Sequence, residues 1–142
     1  MIRKAEKKDF PRIYELGQLL HENYENLYNL EELVQKDYFK ILVCEEKKKV
    51  VGFLMYTDLD GLIDIMDIVV DESCRHQKYG SHLMDEMITT SKKESKFYLE
   101  VNVKNTNAIS MYEKFGFKKI HTRKKYYGEE DAIVMERTNE NE

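Results

Sequence analysis

The sequence has few of the residues that mark particular classes of protein. It contains no tryptophan, one proline (Pro11) and two cysteines (Cys44 and Cys74) among 142 residues. Two cysteines form neither a disulfide framework nor the spacing of a metal site, which favours small buried or half-buried thiols in a reducing cytoplasm. One proline and no Gly/Ser-rich linker predict a single domain over residues 1–142.

Long apolar runs are missing as well. The longest falls well short of the roughly 20 residues that a membrane helix needs, and the first ten residues are polar. We therefore expect no membrane segment and no secretory signal. A hydrophobic content of 42% with 35% charged residues is typical of a folded globular protein, and the net charge of -4 argues against a general nucleic-acid binder.

Hydrophobic periodicity predicts the order β-α-α-β-β-β-α-β-α-β-β, a mixed α/β sandwich around one sheet. The predicted strands are 2–5, 41–44, 50–57, 62–70, 97–103, 118–122 and 131–137, and the predicted helices are 9–21, 23–40, 81–91 and 105–114. Asp9 has the position of a helix N-cap, and Gly116 that of a C′ residue which ends a helix. In strand 97–103 the odd-numbered residues are apolar, which predicts one buried face.

One glycine stands among basic and amide side chains where a predicted strand gives way to a helix, in the stretch CRHQKYGSHLM (residues 74–84). Backbone N–H groups at a helix N-terminus bind phosphate or pyrophosphate, helped by the helix dipole. Gly80 allows close approach of the backbone, while Arg75, His76 and Lys78 add positive charge. Neither a Walker loop nor a GxGxxG pattern is present, so spacing alone favours an ordinary charged turn over an anion site.

Three polar residues of the second half have an ordinary interpretation, and two of them, Glu100 and Tyr112, also have a chemical one. Glu100 lies on the strand face opposite the apolar set, where it is solvated, paired with a basic neighbour or, if that face lines a cleft, a general base. Asn105 precedes a helix, where such residues ordinarily act as caps. Tyr112 belongs to the apolar stripe of helix 105–114, so it is either a core residue or a proton donor to a leaving thiolate.

Longer segments resemble a known family. ESKFYLEVNVKNTNAISMYEKFGFKK is similar to the C-terminal half of the GNAT acyl-CoA N-acyltransferases, and RHQKYGSHLM resembles their acetyl-CoA pyrophosphate loop, Q/R-x-x-G-x-G/A. Within the family, YLEV, NAISMYEKFGF and RKKYYGEEDAIVM are most similar to the RimI-type enzymes, which acetylate the N-terminal alanine of ribosomal protein bS18. The resemblance implies a central mixed, mainly antiparallel sheet flanked by helices.

The resemblance also implies roles for individual residues. Glu100 matches the general base of the family, and Tyr112 matches its general acid. The main chain of residues 68–70 matches the strand that pairs with the pantetheine arm, and residues 76–81 match the pyrophosphate loop. The residues implied to bind acetyl-CoA are Ile68, Val69, Val70, Arg75, His76, Gln77, Lys78, Tyr79, Gly80, Ser81 and Asn105.

Two departures from the family pattern concern the donor loop and the acceptor site. Lys78 replaces the first loop glycine; since lysine adopts positive φ poorly, either the backbone there is ordinary or the loop is strained. The RimI-type Phe-Pro-Trp-Ser segment is replaced by HENYENLYNLEEL, which bears on the identity of the acceptor.

The implied activity is transfer of an acetyl group from acetyl-CoA to a protein N-terminus such as that of bS18, by direct attack in a ternary complex without a metal. We expect a cytoplasmic monomer or weak homodimer that binds neither nucleic acid nor membrane. The alternatives are a GNAT enzyme for a small-molecule amine or a lysine side chain, a non-catalytic acyl-CoA-binding module, and an interaction protein acting through the Tyr-rich segment 23–40.

Overall fold

The computed structural model describes residues 1–75 and 77–139, apart from the side chains of Tyr126 and Tyr127. Its strands are β1 (Ile2–Lys4), β2 (Phe39–Glu46), β3 (Lys49–Leu59), β4 (Leu62–Val70), β5 (Lys96–Asn102), β6 (Lys118–Tyr127) and β7 (Glu130–Thr138). Its α-helices are α1 (Phe10–Gly17), α2 (Tyr24–Leu27), α3 (Leu30–Leu33), α4 (Tyr79–Thr90) and α5 (Thr106–Lys114). Short 3₁₀ turns, Lys7–Asp9 and Glu72–Cys74, precede α1 and follow β4.

The strands form one mixed sheet, as predicted from the sequence. They are hydrogen-bonded in the order β1-β2-β3-β4-β5-β7-β6. The pairs β1/β2, β2/β3, β5/β7 and β6/β7 are antiparallel, whereas β4 and β5 are parallel. The predicted fold class, a mainly antiparallel sheet with flanking helices, is confirmed.

Contacts divide the chain into two compact units, the first made of Met1–Asp58 and Met66–Thr90. The core of this unit contains side chains from α1, the α2–α3 region and strands β2 to β4: Phe10, Ile13, Leu16, Tyr24, Leu30, Phe39, Ile41, Val43, Val50, Phe53, Met55 and Val69. Helix α4 contacts β1 and β2 and buries Leu83, Met84 and Met87 completely. Each such side chain contributes roughly 1.5–3 kcal/mol of burial, so the position of α4 is well fixed.

The second unit comprises Leu59–Ile65 and the chain from Ser91 onward. In β5 the side chains of Phe97, Leu99 and Val101 are buried, which confirms the predicted alternation, but Val103 lies beyond the end of the strand and is 41% exposed. The buried guanidinium of Arg137 lies 5.6 Å from the centroid of the Phe97 ring. The prediction of a single domain over 1–142 stays a prediction.

The N-terminal helices differ from the sequence prediction. Helix α1 ends at Gly17, short of the predicted His21, and the carboxylate of Asp9 makes no N-cap bond. The Asp9 carboxylate accepts other hydrogen bonds instead, two from Arg3 at 2.8 and 3.0 Å and one from the Glu6 N–H at 2.7 Å. The predicted helix 23–40 is two single-turn helices followed by β2, and the Asn29 side chain, which accepts from the Glu32 N–H, caps the second of them.

Two smaller predictions concern the thiols and the membrane. Cys44 is buried and Cys74 half-buried, and both are free thiols, as expected. Within residues 1–75 and 77–139, no helix combines the length and apolar character required to cross a membrane.

Candidate functional site

Strand β4 and the turn after it hold the first group of predicted site residues. Val69 is buried, while Ile68 and Val70 are half-buried. On the neighbouring strand, a Cβ at Gly52 would lie 2.9 Å from the Val69 carbonyl oxygen, so only glycine allows β3 to approach this closely.

Asp71 fixes the direction in which the chain leaves β4. Its carboxylate accepts hydrogen bonds from the backbone N–H of Ser73 at 3.0 Å and from the Ser73 hydroxyl at 2.9 Å, and it pairs with the guanidinium of Arg12. The Ser73 N–H and the Arg12 guanidinium lower the pKa of Asp71 to about 2. The start of the predicted pyrophosphate loop is therefore anchored by a carboxylate that stays ionised at neutral pH.

Lys78, at the position that the resemblance matches to the first loop glycine, has a left-handed backbone. Its φ is +64°, in the left-handed region, so of the two predicted alternatives the strained one is correct. Helix α4 begins directly afterwards at Tyr79, two residues earlier than predicted, which places Gly80 in its first turn. The His82 N–H bonds to the Lys78 carbonyl oxygen at 3.0 Å. His76 lies outside the described residues.

The charged and amide side chains of the loop are exposed to solvent. Arg75, Gln77 and Lys78 are all exposed, and the Tyr79 hydroxyl donates to the Gln77 side-chain oxygen at 3.2 Å. Since the first N–H groups of a helix have no partners within the helix, the start of α4 offers donors beside this positive charge. An anion is the ligand that such a junction suits.

Glu100 lies in the second unit, on the polar face of β5. About a third of its side chain is exposed, and its Oε1 accepts a hydrogen bond of 2.7 Å from Nη1 of Arg123 on β6. Pairing with a basic neighbour was one of the alternatives expected for this carboxylate. Sequence reasoning did not identify Arg123 as this partner. In the sheet β6 lies two strands from β5, with β7 between them, and the sequence alone does not reveal this order.

Helix α5 carries the other two candidates of the second unit. The Asn105 side-chain oxygen accepts from the Ala108 N–H at 3.2 Å, so the expected capping role is confirmed. Tyr112 is 7% exposed, and its ring centroid lies 5.9 Å from that of Phe117. The hydroxyl is therefore held on a rigid ring.

Helix α5 ends in a Schellman motif, which holds the backbone of Phe117 next to that of Tyr112. The Phe117 N–H bonds to the Tyr112 carbonyl oxygen at 3.1 Å and the Gly116 N–H to that of Glu113 at 3.0 Å, with Gly116 at a φ of +89°. Nε of Arg137 donates to the Phe115 carbonyl oxygen at 2.6 Å. The predicted helix stop at Gly116 is confirmed.

A cluster that sequence reasoning missed lies in the first unit. The Tyr24 hydroxyl donates to Oδ2 of Asp67 at 2.7 Å, and the nearby Tyr28 hydroxyl also acts to lower the pKa of this carboxyl. Burial raises the pKa of Asp67, although the two hydroxyl donors act in the opposite direction. The available signals were an aspartate within an apolar strand and the unexplained tyrosines of segment 23–40.

The predicted residues thus divide by unit. Residues 68–70 and the described part of 75–81 belong to the first unit, whereas Glu100, Asn105 and Tyr112 belong to the second. Their assignment to acetyl-CoA binding and catalysis stays a prediction.

Comparison with known proteins identifies relatives along the whole chain. A model described as the acetyltransferase (GNAT) family matches residues 2–117. The N-alpha-acetyltransferase of Saccharolobus solfataricus is 31% identical over 154 residues, which cover 96% of this chain and 91% of that protein. The ribosomal protein bS18-alanine N-acetyltransferase of Escherichia coli K12 is 35% identical over 77 residues, 50% of this chain and 52% of that protein. The crystal structure of the ribosomal-protein-S18-alanine N-acetyltransferase from Escherichia coli shares the fold, with a TM-score of 0.82 at 22% identity over 97% of this chain and 92% of that one.

Proposed function

This chain belongs to the GNAT family of acetyltransferases and is an N-acetyltransferase, and on that premise we propose that it acetylates the N-terminal α-amino group of a protein. The observation that carries the proposal is the likeness to an N-alpha-acetyltransferase along 96% of the chain. An N-terminal alanine, as in the acceptor named for the bS18 enzymes, is the specific acceptor we propose first.

The donor in this proposal is acetyl-CoA, held by main-chain groups. The N-terminal N–H groups of α4, with Arg75 and Lys78 beside them, bind the pyrophosphate. The backbone of residues 68–70 pairs with the pantetheine arm and supplies the N–H that stabilises the tetrahedral oxyanion. Asn105 contributes a further contact to the donor.

The reaction requires two proton transfers: the acceptor ammonium loses a proton, and the thiolate of CoA gains one. An α-ammonium has a pKa of about 8, so it must lose a proton before it can attack a thioester. Glu100 accepts that proton directly or through a water. The new N–C bond forms as the C–S bond breaks, and the departing thiolate of CoA takes a proton from Tyr112. No covalent enzyme intermediate is needed, so neither free thiol takes part.

Acceptor profiling by mass spectrometry tests this function. The protein is incubated with acetyl-CoA and a peptide that begins with alanine and is rich in arginine, and acetylation at the N-terminus is expected. The matched control is the same peptide with a blocked N-terminus and one internal lysine, which should remain unmodified. Spermidine and an aminoglycoside should release no CoA.

Three outcomes contradict the proposal in different ways. Acetylation of the blocked control would indicate a lysine acetyltransferase. Turnover of small amines without peptide modification would indicate a small-molecule enzyme of the same family. Binding of acetyl-CoA without turnover of any amine would favour a non-catalytic module.

A further inference from the structure

Asp67 is a carboxylate in the middle of an otherwise apolar stretch of β4. It directly precedes residues 68–70, the segment proposed to bind the acyl donor, and it is half-buried. The Tyr24 hydroxyl donates to it at 2.7 Å, and the Tyr28 hydroxyl is the other polar group that lowers its pKa. The two tyrosines belong to the segment 23–40. The fold places Tyr24 in the core, but the proposed reaction has so far given neither tyrosine a role.

The Tyr24 hydroxyl is held in place from several sides. Its side chain is 1% exposed, and its ring centroid lies 5.1 Å from that of Tyr28 and 6.0 Å from that of Phe53. A Cβ at Gly17 would lie 2.1 Å from the Tyr24 ring, so the glycine at the end of α1 is what makes room for the ring. The position of the Asp67 carboxylate is therefore set by packed elements.

The backbone around the second hydroxyl is fixed by a third tyrosine. The Tyr14 hydroxyl donates to the Tyr28 carbonyl oxygen at 2.9 Å and accepts from the Leu30 N–H at 3.0 Å. This bridge links α1 to the connection between α2 and α3. The side chains that hold Asp67 are thus prearranged, as a binding site requires.

The charge of Asp67 lacks a counterion within residues 1–75 and 77–139. The polar groups that act on it are the neutral hydroxyls of Tyr24 and Tyr28, and it makes no ion pair with a cation among these residues. To join α2 to β4 by a hydrogen bond from Tyr24, an uncharged acceptor such as an amide oxygen would be enough. A half-buried carboxylate is less favourable, because its charge loses part of its hydration free energy. An incoming cation would offset that cost.

We propose that Asp67 binds the ammonium form of the acceptor amine, with Tyr24 and Tyr28 as positioning residues that orient its carboxylate. This inference rests on the proposed function. Near pH 7 an α-amino group is mostly protonated, so the form that arrives is a cation. One carboxylate oxygen accepts a charge-assisted hydrogen bond from it before the proton is removed for attack. Because Asp67 directly precedes the segment proposed to bind the donor, an amine bound to Asp67 lies beside the thioester of acetyl-CoA.

The substitution Asp67→Asn tests this role, since it keeps the shape and an oxygen acceptor for the tyrosines but removes the charge. We expect the KM for the acceptor to rise about 10- to 100-fold, as for loss of a charge-assisted hydrogen bond, with the KM for acetyl-CoA within twofold. Asp85→Asn, at an exposed position on α4, is the matched control and should change neither constant.

Binding of an acceptor analogue separates recognition from structure. Dissociation constants are measured by calorimetry, in the presence of CoA, for the alanine-first peptide and for its des-amino form, which lacks the ammonium. Asp67→Asn should weaken the amine-bearing peptide only. Equal weakening of both peptides would show a purely structural role, and no weakening of either would also overturn the proposal.

Two further arrangements keep the test decisive. If Asp67→Asn does not fold, Tyr28→Phe allows the same comparison, with a smaller, few-fold effect confined to the amine-bearing peptide. If the wild-type protein acetylates a small amine and no peptide, the proposed acceptor is wrong, but the KM comparison is then made with that amine. Failure of the acceptor proposal and failure of the Asp67 proposal are thereby distinguished.

Discussion

Replacing Lys78 with glycine changes both the stability of the loop before α4 and the charge beside its proposed pyrophosphate site. A non-glycine residue with a φ near +64° carries roughly 1–2 kcal/mol of backbone strain. Glycine removes that strain, but its greater freedom in the unfolded chain costs about 0.5–1 kcal/mol. The free energy of unfolding should therefore rise by about 0–1.5 kcal/mol, a gain of up to a few degrees in Tm.

Thermal unfolding followed by circular dichroism measures this gain. Lys78→Ala removes the same side chain but keeps a Cβ and hence the strain, so its Tm should not exceed that of the wild type. Lys114→Gly, in the last turn of α5, is the control for glycine at an unstrained lysine position and should lose about 1 kcal/mol. A loss of Tm in Lys78→Gly as large as in Lys114→Gly would refute the reasoning from strain.

Calorimetric titration with acetyl-CoA then separates the backbone of Lys78 from its ammonium group. If the main-chain N–H is what faces the phosphate, both Lys78→Gly and Lys78→Ala should bind acetyl-CoA within a few-fold of wild type. A loss of more than about tenfold in both variants would mean that the ammonium is itself a phosphate ligand, since each exposed charge contact contributes modestly unless it is direct.

Three further predictions follow from single contacts. Glu100→Gln and Tyr112→Phe should each lower kcat by about 10²–10⁴-fold while the Kd for acetyl-CoA stays within a few-fold; unchanged kcat in both would exclude them as base and acid. Gly116→Ala should lower the free energy of unfolding by about 1–2 kcal/mol, measured by urea denaturation, because its φ of +89° disfavours any side chain; an unchanged midpoint would contradict this. Arg3 lowers the pKa of the buried Asp9, so ionised Asp9 stabilises the folded state above the ordinary carboxyl pKa of about 4, and this stability is lost as the pH falls further. In Asp9→Asn, the fall in Tm between about pH 5 and pH 2 should therefore be less steep than in the wild type.

Local patterns in the sequence predicted those features that depend on neighbouring residues. The alternation of Phe97, Leu99 and Val101 follows from one buried face of a strand, and the helix stop at Gly116 follows from the backbone freedom of glycine. Both are confirmed because the competing interactions are also local.

The features that sequence reasoning missed depend on side-chain contacts between different helices and strands. Asp9 stands at the N-cap position of α1 as predicted, but its carboxylate makes no cap bond because Arg3, on the preceding strand, binds it. Helix 23–40 is interrupted because the Tyr24 ring packs on Gly17 and its hydroxyl on Asp67, 43 residues away. Helical periodicity carries no information on partners at such separations, so the break in the helix and the tyrosine–aspartate cluster were missed together.

The left-handed backbone of Lys78 has to be weighed against similar positions in this chain. Among residues 1–75 and 77–139, the non-glycine residues with positive φ are Lys47, Lys48, Asp60, Lys78 and Lys125, all of them exposed. Lysine therefore occupies strained turns at sites with no proposed ligand, and strain alone does not identify a binding loop. What distinguishes Lys78 is that a twelve-residue helix begins directly after it, with its first N–H groups available to an anion. Lys125→Gly should thus relieve the same strain as Lys78→Gly, but of these two positions only Lys78 adjoins the proposed pyrophosphate site.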